Sequence, residues 1–89
     1  MEDWFVYILR CNDGSLYTGV ARDVARRVEE HNSDNQRGAK YTRARRPVNL
    51  VYQEQVASRS AAGKREHEIK QLKKSVKEQL IRSQADSHR

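Results

Sequence analysis

The apolar residues of this chain fall in short blocks whose spacing changes from block to block. Residues 4–9 hold Trp4, Phe5, Val6, Tyr7, Ile8 and Leu9 in one unbroken run. Aromatic and β-branched side chains favour strands. A run without polar alternation predicts a strand over residues 3–11 that is covered on both faces. Asn12-Asp13-Gly14-Ser15 reads as a turn in which glycine supplies a positive φ, and residues 16–20 as the returning strand of an antiparallel hairpin. Asp23 stands where its carboxylate can accept from the free N–H groups of a helix running from Val24 to His31 or Asn32. Val24 and Val28, four residues apart, mark the inward face of that helix. Residues 33–46 show no apolar period and read as a long loop. Past Pro47, the alternation of Val48, Leu50 and Tyr52 predicts a third strand over 48–56. Ser58 or Ser60 can cap a helix over about residues 60–73, with Ala62, Ile69 and Leu72 as its stripe. Ser75-Val76-Lys77-Glu78 matches the capping box S-x-x-E. It predicts a short last helix over 76–83 that buries Val76, Leu80 and Ile81. Residues 84–89 offer little to bury and are expected to fray. The order is β-β-α-β-α-α: one domain over 1–83 with a polar tail over 84–89, in which helices cover a small, mostly antiparallel sheet, an α+β fold.

Composition narrows the function. Eighty-nine residues make one domain with a small core. Apolar residues are 36% and charged residues 34% of the chain. Lys and Arg number 18 against 12 Asp and Glu, a net charge of +6 that suits an anionic partner such as nucleic acid. The longest apolar run is far shorter than the roughly 20 residues of a membrane span, so no membrane is expected. Met1-Glu2-Asp3 lacks the basic start of a secretory signal. Cys11 is the single cysteine, which leaves no internal disulfide and no zinc framework. A reduced, cytoplasmic location is the expectation.

Three side chains sit awkwardly for pure structure. At 100° per residue, Arg27 lies about 60° and His31 about 20° from Val24 around the first helix, so both flank the buried stripe. On the later helix, Glu66 lies about 40° from Ala62 and about 60° from Ile69. A carboxylate so near the core must be paired, neutral or bound to a cation. Each also has an ordinary use: Arg27 pairing with Asp23, His31 answering the helix dipole, Glu66 pairing with Lys70 or Lys73. Tyr7 and Tyr17 can be packing residues of strands. No phosphate-binding glycine loop or nucleophile elbow is present. The 33–46 segment carries Arg37, Lys40, Arg43, Arg45 and Arg46, with Tyr41 among them. It reads either as a solvated connection or as a DNA-backbone contact in which Tyr41 stacks on a base or sugar.

Val6-Tyr7-Ile8, then Tyr17-Thr18-Gly19, then Arg27, His31 and Glu66, resembles the signature of the GIY-YIG nuclease superfamily. Gly38-Ala39-Lys40-Tyr41-Thr42-Arg43 and Glu66-His67-Glu68-Ile69-Lys70 are similar to stretches of its small standalone URI-domain members. The likeness spans roughly residues 4–82. It also extends to the incision domain of the bacterial repair protein UvrC. Val6 stands where the first motif has glycine, Thr18 where the second has isoleucine, and Val20 where many members have lysine. No asparagine follows Asn49. The resemblance implies a three-stranded antiparallel sheet flanked by helices, and a DNA endonuclease that uses one Mg²⁺ or Mn²⁺ ion, structure-selective and repair-related. It places Tyr7, Tyr17, Arg27 and His31 in the catalytic site, Gly19 as the motif glycine, and Glu66 on the metal. With no separate DNA-binding domain, target choice would come from the basic loop, from DNA shape or from a protein partner. The other reading is a nucleic-acid binding module of the same fold with a weakened or inactive site.

Overall fold

The computed structural model describes residues 3–86. Strands β1 (Trp4–Arg10), β2 (Leu16–Ala21) and β3 (Asn49–Val56) form one antiparallel sheet in the order β2-β1-β3. Helices α1 (Val24–Ser33), α2 (Lys40–Arg43), α3 (Arg59–Gln71) and α4 (Lys74–Asp86) surround it. The α+β order predicted from the pattern holds, with one helix added.

The unbroken apolar run of β1 follows from its central place, where both faces are covered. Tyr7, Leu9 and Cys11 point to one side and pack with Ala21, Val24 and Val48. Val6 and Ile8 point to the other and pack with Tyr52, Ala62 and Ile69. Burying an aliphatic side chain of this size contributes about 1.5–3 kcal/mol relative to leaving it exposed. The hairpin turn forms as expected: Gly14 has φ +84, and Ser15 donates from N and Oγ to Asp13 Oδ1 at 3.0 and 2.6 Å. Asp23 caps α1 by accepting from Arg26 N at 3.1 Å. Ser58, not Ser60, caps α3 by accepting from Ala61 N at 3.0 Å.

Four expectations are corrected. The 33–46 segment is not structureless, because Lys40–Arg43 makes a helical turn and its neighbours are tied by hydrogen bonds. Val48, Leu50 and Tyr52 do not share a face: the register with β1 shifts between Ile8 and Leu9, opposite Tyr52 and Leu50. The extra residue, Val51, sends Tyr52 to the α3 side, leaves Val48 on the α1 side and leaves Leu50 37% exposed. The capping box at Ser75 does not form either. Helix α4 already begins at Lys74, and Glu78 instead accepts from Arg10 Nη1 and Nη2 at 2.8 and 2.6 Å, clamping the helix to the central strand. Val76 stays exposed, while Leu80 and Ile81 pack on the sheet as expected. Finally, residues 84–86 are not frayed. Helix α4 continues to Asp86, and the Gln84 carboxamide exchanges hydrogen bonds with Gln53 N and O at 3.1 and 2.6 Å on the outer edge of β3. The rest of the expected tail, 87–89, lies outside the described residues.

Candidate active site

The site is assembled on the α1 side of the sheet, at the β2 edge. Tyr7 and Gly19 are opposite each other in the β1–β2 ladder. A Cβ on residue 19 would lie 2.5 Å from Tyr7 Cζ and closer still to Oη. The second motif needs glycine here because the Tyr7 ring crosses directly over its backbone. Tyr17, two residues earlier on β2, faces the same side.

His31 comes in from the end of α1 and is 0% exposed. Its Nε2 is 2.8 Å from Tyr7 Oη, and its Nδ1 is 2.9 Å from Thr42 Oγ1. Thr42 Oγ1 in turn donates to the Ala39 carbonyl at 3.0 Å. A hydroxyl has one hydrogen, so with Thr42 O–H given to Ala39 O the ring takes the tautomer in which His31 Nδ1–H goes to Thr42 and Tyr7 O–H goes to the His31 Nε2 lone pair. The Ala39 N–H faces Nδ1 at 3.4 Å, a longer contact that belongs to the other tautomer, with Nε2–H donating to Tyr7. The Tyr17 ring meets His31 edge-on, with centroids 5.2 Å apart.

Both partners of the central hydrogen bond rest uncharged. Burial pushes the Tyr7 phenol up to about 12; Tyr17 and Glu66 add to the rise, and Arg27 opposes it. Burial pushes His31 down to about 4, with Arg27 and Arg46 adding and Glu30 opposing. The expected cationic neighbourhood exists, but desolvation outweighs it. Arg27 itself stays firmly cationic. Burial works against its charge, and the hydrogen bond to Glu30 with the attraction of Glu30 and Tyr7 more than offsets it. Its Nη1 donates to Glu30 Oε1 at 2.9 Å and to the Arg37 carbonyl at 2.6 Å. The expected pairing with Asp23 is absent from its contacts, because Asp23 is used as the helix cap.

Glu66 approaches from α3, across the β2 edge. It lines an open pocket of about 270 Å³ with Trp4, Val20, Arg59 and Gly63. One carboxylate oxygen pairs with Lys70 Nζ at 3.2 Å. Glu66 is also close enough to act on the Tyr7 ionisation. Among the described residues no three His, Cys, Asp or Glu side chains gather into a metal cage. A lone carboxylate on an open pocket still fits Mg²⁺, which keeps several waters and takes one or two carboxylates. It does not fit an ion that requires an all-protein shell.

The basic segment divides into struts and surface. Arg46 donates to His31 O at 2.7 Å, to Asn35 Oδ1 at 2.9 Å and to Asp34 O at 3.1 Å, so it braces the loop against α1. Arg43 donates to Asn35 O at 2.7 Å, and Arg37 pairs with Asp34 at 3.6 Å. Arg45 donates to Asp13 Oδ2 at 3.1 Å and lies 3.8 Å over the Tyr41 ring. Tyr41, 39% exposed, stacks on Tyr17 with centroids 6.0 Å apart. Lys40 is exposed. Two participants were not singled out from the sequence. Thr42 has no apolar period around it, and its only signal was its place in the Gly38–Arg43 stretch. Glu30, three residues after Arg27, is readable as its helical partner.

Two motif tyrosines on one face of a β-hairpin, with an arginine from the next helix and a glutamate from a later one, are the arrangement of a nuclease-type domain. The GIY-YIG catalytic domain family matches residues 3–79, and the chain belongs to that family of nucleases. It is similar to the UPF0213 protein DP2720 of Desulfotalea psychrophila, 55% identical over 80 residues, which are 90% of this chain and 72% of that relative. Two solution structures share the fold. The UPF0213 protein BH0048 of Bacillus halodurans is 46% identical, with TM-score 0.56 over 89% of this chain and 82% of that one. The protein EF2693 of E. faecalis is 41% identical, with TM-score 0.62 over 93% and 86%. These names state no substrate. No helix among the described residues is long and apolar enough to cross a membrane.

Proposed function

We propose that this chain is a metal-dependent endonuclease that hydrolyses phosphodiester bonds in DNA, a cytoplasmic enzyme selective for DNA structure and used in repair. The observation that carries the reading is the 2.8 Å hydrogen bond from the Tyr7 phenol to His31 Nε2, under the influence of both Arg27 and Glu66. That arrangement is a proton relay. An attacking water gives its proton to Tyr7 Oη as the phenol proton passes to His31 Nε2, and Thr42 holds the Nδ1–H. Burial opposes both the phenolate and the imidazolium, so full transfer before attack is disfavoured. Proton movement must accompany bond formation rather than precede it. Arg27 supplies a fixed positive charge to the phosphate oxygens. Glu66 would hold Mg²⁺ or Mn²⁺, which supplies charge neutralisation at the phosphate and leaving oxygen when bound. Tyr41, Lys40 and the outer guanidiniums of Arg37, Arg43 and Arg45 offer the phosphate backbone a cationic, partly aromatic surface. Arg46 contributes through the loop it braces. A protein partner would then set the target.

The test is incubation with supercoiled, branched and single-stranded DNA in Mg²⁺ or Mn²⁺. Cleavage is expected, with its loss in EDTA and in Glu66→Ala. Failure to cut any of these, or full activity in Glu66→Ala, refutes the reading. The pairing of Glu66 with Lys70 and the neutral resting phenol favour a second reading, a binding module without cleavage. It predicts salt-sensitive, EDTA-indifferent binding and no product.

A further inference from the structure

We propose that the pocket beside Glu66 is a nucleotide subsite, in which Trp4 takes the base or sugar next to the scissile phosphate and Arg59 takes that nucleotide's phosphate. The proposal rests on the nucleic-acid reading above. It concerns the face of the sheet opposite the Tyr7–His31 pair, and none of the basic loop takes part.

Trp4 opens β1 and is half-buried, one side resting against the Val6–Ile8 cluster. The guanidiniums of Arg22 and Arg59 each lie 5.9 Å from its ring centroid. That is the outer limit of a cation–π contact, so the Arg59 group can turn toward an incoming phosphate at little loss. Among the described residues that line this pocket Glu66 is the only acid, beside Trp4, Val20, Arg59 and Gly63. An aromatic ring beside a guanidinium, opening onto the candidate site, has the chemistry that holds one nucleotide of a strand.

Gly63 is the second, independent pointer. It lies inside α3, where glycine weakens a helix relative to alanine. Packing gives no reason for it, since a Cβ there would meet nothing within 4 Å. What the missing side chain does is leave the helix face bare where it borders the pocket. A nucleotide lying between Trp4 and α3 would use that space.

Trp4 is the single tryptophan of the chain, so its emission reports on this wall alone. A labelled, short single-stranded oligothymidylate is titrated with the protein in EDTA, following anisotropy and tryptophan emission together. Quenching that tracks binding is expected. Gly63→Gln replaces glycine with a better helix former that projects into the pocket. It should raise the melting temperature while weakening binding about 5-fold or more. Trp4→Leu keeps an apolar wall and should weaken binding about 5- to 100-fold, the range of one lost base stack. Arg59→Gln should lower the salt slope by about one. If the oligonucleotide binds while emission stays constant and Gly63→Gln and Arg59→Gln bind like wild type, the subsite is refuted and the nuclease reading stands. If wild type neither binds nor cuts any DNA, the nucleic-acid reading falls and the subsite with it.

Discussion

Lowering the pH should destabilise this domain well before its carboxylates titrate, and His31 should be the cause. In the unfolded chain an imidazole takes up its proton near 6.5. In the folded chain burial, with Arg27 and Arg46, holds His31 to about 4. Between these values the unfolded state binds one more proton than the folded state, so stability rises with pH. The contribution is complete above pH 6.5 and disappears as pH falls toward 4. Because His31 is 0% exposed, solvent screening takes little from it. The full shift corresponds to about 3 kcal/mol, and the part lost between pH 7 and pH 5 to about 2 kcal/mol. Asp13, Asp34 and Glu78 are each held below the ordinary carboxylate range by hydrogen bonds to Ser15, to the Arg37 and Gln36 amides, and to Arg10 respectively. Their linked losses therefore fall mainly below this window. The assay is urea unfolding followed by circular dichroism at pH 7, 6 and 5 and constant ionic strength, on wild type and His31→Gln. The variant should be less stable at pH 7 but nearly flat across the window. Equal slopes for the two proteins would refute the assignment of the pH effect to His31.

Gly19→Ala should cost about 1–3 kcal/mol by overpacking, because its Cβ would overlap the Tyr7 ring; thermal melting checks it. Tyr7→Phe keeps the ring but leaves His31 Nε2 without its partner, costing about 1–3 kcal/mol and lowering DNA cleavage by about 100-fold or more, read separately by melting and by a nicking assay. Gln84→Ala uncovers the Gln53 N–H and C=O on the β3 edge, so sedimentation should show stronger concentration-dependent association than wild type at the same concentrations.

The hairpin, the capped first helix and, to within Ser58 or Ser60, the α3 cap were legible because each is a local rule written in adjacent residues: an apolar run, Asp13-Gly14, Asp23, a serine before the helix. The β3 register was not. Whether Val48 and Tyr52 share a face depends on the bulge opposite Ile8 and Leu9, and nothing within residues 48–56 announces it. The same limit applies to Glu78. Its local pattern fits a capping box, but its charge is claimed by Arg10, far away in sequence. For the site, helical angles correctly put Arg27, His31 and Glu66 beside buried stripes. The aromatic ladder from Arg45 through Tyr41 and Tyr17 to His31 joins three separate segments, so it exists only after folding. The segment 33–46 was misjudged for a related reason. Its order comes from Arg46 and from Asn32, which brackets Val48 with bonds of 2.7 and 2.9 Å, not from an apolar stripe that a periodicity would reveal.

The inner part of the candidate site is also core. Tyr7, His31 and Thr42 rank among the largest fully buried side chains, and no buried side-chain polar atom among the described residues lacks a hydrogen-bond partner. A small domain cannot hold a charge in that position without a large desolvation cost. The fold meets this by keeping the inner pair neutral, with Tyr7 near 12 and His31 near 4, and by placing the charged groups around them: Arg27 with Glu30, Glu66 with Lys70, Arg45 with Asp13. The form of Tyr7 that stabilises the domain is the neutral phenol, which in the proposed relay takes a proton from water only as it passes its own to His31. At the rim, a cation held by Glu66 would offset the carboxylate that raises the phenol, whereas an anionic strand at Arg27 would work against ionisation. Under the proposed function, a substitution at Tyr7 or His31 should therefore perturb stability and cleavage together.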